Sequence, residues 1–245
     1  MKQQWKNAIV VGASSGIGQA IAEELLRTGT HVALVARSGD KLQAIAQQSP
    51  ERAHVFAHDV RDYTVIPALF QQITQTLGGL DLIVYASGAM PKVDEHEYNF
   101  TKDREILETN TLGAIAWIDE AAERFERTRM GTIIGISSVA GERGRRGTPA
   151  YCTSKAALTT FLESLRNRLT RYGVRVVTIK PGFVDTPMTH GKPGLFWLIS
   201  ADEAAKQILH AAARGAMTAF VPGRWRAVMF VIRSMPSWIF RKLPV

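Results

Sequence analysis

Cysteine is almost absent from this sequence. Cys152 is the only one in 245 residues, which excludes an internal disulfide and suits a reducing compartment. The six histidines are scattered. His54 and His58 could share one face of a strand, but no Cys/His spacing suggests zinc, and no metal site is expected. Long apolar runs are missing too: no window approaches the ~20 residues a membrane-spanning helix needs. The first apolar run, 8–11, is too short for the core of an export signal, so the expected location is cytoplasmic. There is no low-complexity segment and no internal repeat. Acidic residues run out early. After Glu203 there is none, against a formal net charge of +8 for the whole chain.

What is present fits one α/β domain, with 46% hydrophobic residues to build its core. Residues 8–11 (Ala-Ile-Val-Val) read as a buried strand. The turn Gly12-Ala13-Ser14-Ser15-Gly16-Ile17-Gly18 follows, then a helix with Ala20, Ile21, Leu25 and Leu26 at helical spacing, closed by Gly29. Strand, glycine-rich turn and helix in that order make a phosphate cradle. Gly12 permits the tight turn, Gly16 lets backbone N–H groups approach a pyrophosphate, and Gly18 lets the helix pack on the sheet. The second strand, His31–Ala36, ends at Arg37. An acidic residue there would bind a ribose 2′-hydroxyl, whereas arginine accommodates a 2′-phosphate, so NADP(H) is favoured over NAD(H), with Asp40 as the rival feature.

Alternation continues: a helix near 40–48, a strand Ala53–Ala57 ending near Asp59-Val60, a helix over 62–77 and a strand over 81–86. Such alternation implies a parallel sheet with right-handed crossovers and helices on both faces, a doubly wound Rossmann-like fold of about seven strands. Ligands then sit at the carboxyl ends of the strands. Gly12, Arg37, Asp59, Ser87-Gly88, Ser138 and Pro181-Gly182 all fall there.

One long helix is expected over 101–127, with Asn110 in its middle, either a satisfied buried amide or a disturbance that holds a water. After the strand Thr132–Ile136 and a glycine-rich loop, a helix begins near Tyr151 and runs to Gly173. On it Lys155 lies four residues from Tyr151, so the ammonium can sit beside the phenol. A free phenol has a pKa of ~10, and a neighbouring cation lowers it. With Ser138 from the preceding strand end, these groups could hold a carbonyl oxygen and protonate it. A further strand over 174–179 ends at Pro181-Gly182, where a nicotinamide face could be bounded and Thr186 could bind its carboxamide.

Together these motifs resemble the short-chain dehydrogenase/reductase family in its single-domain form. The likeness runs from Asn7 to about Val221. It rests on Gly12–Gly18, Asp59-Val60, Asn110, Ile136-Ser137-Ser138, Tyr151-Cys152-Thr153-Ser154-Lys155 and Pro181-Gly182. The resemblance implies Tyr151 as general acid in reduction and base in oxidation, and Ser138 as the group that orients and polarises the substrate oxygen. It implies Lys155 lowering the tyrosine pKa and binding the nicotinamide ribose, and Asn110 ordering a water. Ser138 is chosen over Ser137 because it lies thirteen residues before Tyr151, the family's usual spacing. The implied cofactor contacts are Gly12, Ser14, Ser15, Gly16, Ile17, Gly18, Arg37, Asp59, Val60, Ala86, Gly88, Pro181, Gly182, Val184 and Thr186, with Tyr151 and Lys155. Two departures stand out. Val11 replaces the usual Thr, and Tyr85-Ala86-Ser87-Gly88 replaces Asn-Asn-Ala-Gly.

A lid over 186–200 carries Leu195-Phe196-Trp197-Leu198-Ile199, read as an apolar mouth for a lipophilic carbonyl compound. Residues 1–223 form the cofactor-binding and catalytic domain. The tail 224–245 interleaves arginines with Trp225, Met229, Phe230, Val231, Ile232, Trp238, Ile239, Phe240 and Leu243, and Pro236 divides it in two. It suits either an anionic membrane surface or packing on the domain. The expected function is an NADP(H)-dependent reduction of ketones or oxidation of secondary alcohols. A non-catalytic NADP(H)-binding sensor or scaffold at a membrane is the alternative, and an epimerase or dehydratase keeps the fold but changes the chemistry. A homodimer or homotetramer through the 101–127 and 151–172 helices is a family expectation. No nucleic-acid partner is expected, since Arg143, Arg145 and Arg146 sit beside the candidate site.

Overall fold

Each central strand is an uninterrupted apolar run because helices cover both of its faces. The computed structural model describes residues 4–94, 96–191 and 194–243. Residues 192 and 193 of the expected lid, and the ends of the expected domain and tail, lie outside them.

The chain begins with β1 (Asn7–Val11), α1 (Gly16–Arg27), β2 (His31–Ala36), α2 (Gly39–Ala46) and β3 (Ala53–Ala57). It continues with α3 (Ile66–Leu77), β4 (Leu82–Tyr85), α4 (Phe100–Leu107), α5 (Gly113–Thr128) and β5 (Thr132–Ile136). Then come α6 (Pro149–Leu169), β6 (Arg175–Pro181), α7 (Ala201–Ala213) and β7 (Thr218–Val221). The order across the sheet is β3-β2-β1-β4-β5-β6-β7, every pair parallel. This is the seven-stranded, doubly wound sheet that the alternation implied.

Successive side chains leave opposite faces of a strand. Ala8 and Val10 of β1 therefore join a core with Ile21 and Leu25 of α1 and Ile208 of α7. Ile9 and Val11 join the other, with Trp117 and Phe125 of α5 and Leu158 and Leu162 of α6. Strand order reverses between β1 and β4, which opens a crevice above their carboxyl ends.

Several boundaries differ from expectation; the helix expected from 151 to 173, for one, is α6 followed by a 3-10 turn, Thr170–Tyr172. The 62–77 helix begins with a 3-10 turn, Tyr63–Val65, before α3. The single 101–127 helix is instead α4 and α5 joined by a π-helical turn, Glu108–Leu112, centred on Asn110. A π turn widens the helix by one residue and loosens its backbone hydrogen bonding. Here the Tyr85 hydroxyl donates to the Thr109 carbonyl at 2.5 Å, so this fully buried tyrosine braces the turn from the sheet.

The tail forms α8 (Trp225–Ser234) and α9 (Ser237–Phe240), divided at Pro236. The packing reading holds for one face of α8. Trp225 and Met229 are buried against Val139, with Phe183, Phe220, Val228 and Ile232 packed around them, while Phe230, Val231 and Trp238 are exposed. α8 is thus one wall of the loop that follows β5.

Candidate active site

A cleft of about 680 Å³ opens at the strands' carboxyl ends. All the residues expected to touch the cofactor line it, together with Ser138, Tyr151 and Lys155. Asn110 does not. It is fully buried behind the cleft.

The glycine turn is shaped by close approach. Gly12 has φ +92, and a Cβ there would lie 2.5 Å from the Ser87 nitrogen. A Cβ on Gly18 would lie 2.2 Å from the Gly12 carbonyl oxygen, so α1 could not start where it does. Ser15 precedes α1 without capping it by side chain, leaving the helix's first N–H groups to a ligand at the cleft wall. These features fit a dinucleotide's pyrophosphate. Arg37 and Ser38 are exposed at the far end of the cleft. Near them, Asp59 takes a bidentate contact from Arg61, with Nη2–Oδ2 at 2.7 Å, and these hydrogen bonds hold its carboxyl down at about 2. Arg61, unmentioned by the motif, thus fixes the carboxylate expected to meet the adenine.

At the other end, Lys155 is buried and its Nζ donates to the Ile136 carbonyl at 2.9 Å. It lies 5.8 Å from the centre of the Tyr151 ring. Burial pushes Lys155 down to about 8. Tyr151 departs from expectation: burial dominates and pushes it up to about 12, while a hydrogen bond with Ser138 and the charge of Arg145 pull downward. The phenol of the chain by itself is a protonated acid. Ser138 Oγ accepts from the Ala140 N–H at 3.0 Å, which leaves its own proton to donate toward Tyr151 or the cleft. Ser137 is committed elsewhere, with Oγ 2.9 Å from the Lys155 carbonyl and 2.8 Å from Thr159 Oγ1.

Asn110 is a hydrogen-bonded amide at the centre of the π turn. Its Oδ1 accepts from the Ala89 N–H at 2.6 Å, and its Nδ2 donates to the Ala89 carbonyl and Ser154 Oγ, both at 3.0 Å. Its side-chain donors are spent, so it ties the Gly88-Ala89 loop to α6. Gly182 lies against α8: a Cβ there would be 1.8 Å from Trp225 Nε1. Phe183, Phe196, Trp197 and Trp225 form one ring cluster, with Phe196 and Trp225 centred 5.1 Å apart. Nothing in the local sequence announced that Trp225 would close this wall.

Three more residues escaped sequence reasoning. The Glu142 carboxylate, at the end of the 3-10 turn Val139–Glu142, pairs with Lys180 from β6, with side chains 4% and 10% exposed. Arg233 of α8 reaches the other carboxylate oxygen at 3.4 Å. These contacts link the serine turn, the Pro181-Gly182 corner and the tail.

A parallel sheet in this order, with a glycine turn and a Ser/Tyr/Lys group on opposite sides of one cleft, defines a doubly wound α/β protein. Comparison narrows the class: residues 6–193 match the short chain dehydrogenase family, and the chain belongs to that family of oxidoreductases. It is 34% identical to an uncharacterised oxidoreductase of Staphylococcus epidermidis over 78% of this chain and 83% of that one. An uncharacterised oxidoreductase of Myxococcus xanthus is 36% identical over 77% and 76%. Among solved structures, a short-chain dehydrogenase from Streptomyces avermitilis is similar at TM-score 0.80, with 24% identity over 90% of this chain and 89% of that one. Actinorhodin polyketide ketoreductase with NADPH gives 0.79 and 24% over 90% and 97%. ElxO with NADP bound gives 0.76 and 22% over 84% and 91%. These structural likenesses speak to the fold.

Proposed function

We propose that the chain is an NADP(H)-dependent oxidoreductase that interconverts a ketone and a secondary alcohol, with a lipophilic carbonyl compound as substrate. The observation that carries this is the disposition of Ser138, Tyr151 and Lys155 around one cleft, with Ser138 Oγ oriented by the Ala140 N–H and hydrogen-bonded with the Tyr151 phenol. Gly12, Ser14, Ser15, Gly16, Ile17 and Gly18 would hold the pyrophosphate, Arg37 the 2′-phosphate, and Asp59-Val60 the adenine. Ala86, Gly88, Pro181, Gly182, Val184 and Thr186 would bound the rest. When bound, the nicotinamide supplies or accepts the hydride.

In reduction, Ser138 donates a hydrogen bond to the substrate oxygen, and Tyr151 delivers its phenolic proton to that oxygen as charge develops there. A protonated Tyr151 is the form that step requires. Lys155, held by the Ile136 carbonyl, would offer its remaining N–H donors to the tyrosine and to the ribose of a bound cofactor. In oxidation the same phenol position takes the proton. Asn110 acts as a positioning residue through Ala89 and Ser154. Arg37 at the end of β2 supports the phosphorylated cofactor, and two structural neighbours, ElxO with NADP bound and the ketoreductase with NADPH, are consistent with it. Met90, Met188, Phe183 and Leu195 give the substrate end its apolar lining. Pairing of copies through α4, α5 and α6 belongs to the same reading, and Phe100 and Leu112 are exposed on that side.

NADPH oxidation with ketones of increasing chain length, in wild type and Tyr151→Phe, tests the reading. Turnover should rise with chain length, and the variant should lose about 10²–10⁴-fold. Arg37→Glu should lower the NADPH-over-NADH preference by about tenfold or more. Undiminished turnover in Tyr151→Phe would refute the mechanism. Tight NADPH binding without turnover of any ketone would favour the sensor.

A further inference from the structure

The outer face of α8 and the lid beside it form an apolar, positively charged surface. In α8, Ala227, Phe230, Val231 and Ser234 recur at helical spacing on the face opposite the buried Trp225 and Met229. Phe230 is 72% exposed, Val231 60% and, on α9, Trp238 62%. The lid adds exposed Phe196, Trp197 and Leu198, and Trp197 is held at φ +59, a backbone conformation that bulky residues rarely take. The lid packs at the start of α8. Phe196 and Trp197 pack on Trp225 at 5.1 and 5.8 Å, and the Arg224 guanidinium lies 4.9 Å over the Trp197 ring.

Charge decides what covers this surface. Arg224, Arg226, Arg241 and Lys242 are exposed along it. The one carboxylate that reaches the segment among the described residues, Glu142, is buried and taken by Lys180 and Arg233. A second copy meeting this face with its own would set arginine against arginine. An anionic lipid surface instead complements the cations at headgroup level and accepts the aromatic and aliphatic side chains between them.

We propose that this face docks the protein on anionic lipid, with the lid and the mouth of the cleft against the membrane. Leu195 and Phe183 line the cleft, and Phe183 meets Phe196 at 5.5 Å, so the apolar wall runs from the docking face into the site. Entry of a lipophilic carbonyl compound from the bilayer rests on the function proposed above. The docking itself does not.

Flotation of the full chain with phosphatidylcholine vesicles, with and without phosphatidylglycerol, tests the docking without any turnover assay. Binding should require phosphatidylglycerol, by about a hundredfold or more for four cations, and should weaken with salt. Phe230→Glu with Val231→Glu should abolish it while leaving the melting temperature and NADPH affinity unchanged. Arg226→Ala with Arg241→Ala should weaken it about tenfold or more. The proposal is overturned if the wild-type chain does not float, if neutral vesicles bind equally, or if the glutamate variant still floats. It is also overturned if the chain dimerises, without binding vesicles, in a manner the glutamate variant abolishes, since a second copy would then cover the face.

Discussion

Replacing Glu142 with alanine would strand a buried charge. The Glu142 and Lys180 side chains are 4% and 10% exposed, and Lys180 Nζ otherwise lies 5.6 Å from the Phe220 ring. No other carboxylate pairs with Lys180 among the described residues. Breaking such a pair from one side costs about 3–5 kcal/mol, because the remaining ion keeps its desolvation penalty without its partner. A chain of this size loses about 2–4 °C per kcal/mol, so Glu142→Ala should lower the melting temperature by about 6–20 °C. Arg233 is 64% exposed and 3.4 Å from the same carboxylate, so its loss should cost about 1 kcal/mol or less. The informative variant is the double replacement, Glu142→Ala with Lys180→Met, which removes both charges. It should be more stable than Glu142→Ala alone, with a coupling of about 1–3 kcal/mol in the cycle. Thermal melts of the four proteins, followed by circular dichroism, decide it. A shift below about 2 °C in Glu142→Ala, or strict additivity in the double variant, would refute the reasoning.

Lys155 carries a pH dependence whose sign follows from its burial. Its folded value of about 8 lies below the ordinary 10.5, so the unfolded chain holds the proton between those values and stability from this group rises with pH across that window. Lys155→Met should therefore be more stable than wild type by up to about 3 kcal/mol near neutrality, with the gap closing above pH ~10, while turnover is lost. For the same reason kcat/KM for reduction should fall as pH rises through about 8, where the free protein's Lys155 loses its charge. Gly182→Ala would place a Cβ 1.8 Å from Trp225 Nε1. It should cost about 1–3 kcal/mol of stability, and Trp225→Leu in the same chain should recover part of that loss, measured as a departure from additivity in melting temperature.

Much of this molecule is legible along the chain because the forces concerned are local. Strands buried on both faces must be continuous apolar runs, as in β1 and β5, and helices between them must carry apolar residues at helical spacing. Gly12 and Gly18 mark the turn locally, because Gly12 takes φ +92 and a Cβ on Gly18 would meet the Gly12 carbonyl oxygen six residues back. Tyr151 and Lys155 are four residues apart on one helix, so their proximity is also local. The parallel sheet and the line of candidate residues at its carboxyl edge follow from these elements with little freedom left.

What only the tertiary structure decided depends on partners distant in sequence. The partners of the Asn110 amide, Ala89 and Ser154, lie 21 and 44 residues away and could not be read from its own helix. The Tyr151 pKa turned on desolvation of the phenol at the cleft wall, which outweighs the nearby charges. Tyr85 was flagged only as a departure from the expected motif, and its bracing of the π turn needs that turn lying across the sheet. Trp225 and Phe230 are both apolar residues of the same short helix, yet one fills the wall behind Gly182 and the other faces solvent. Periodicity could show that α8 has two faces. Which of them meets the protein was settled by the space left beside Val139 and Gly182, because burial is a property of the assembled surface rather than of any one segment.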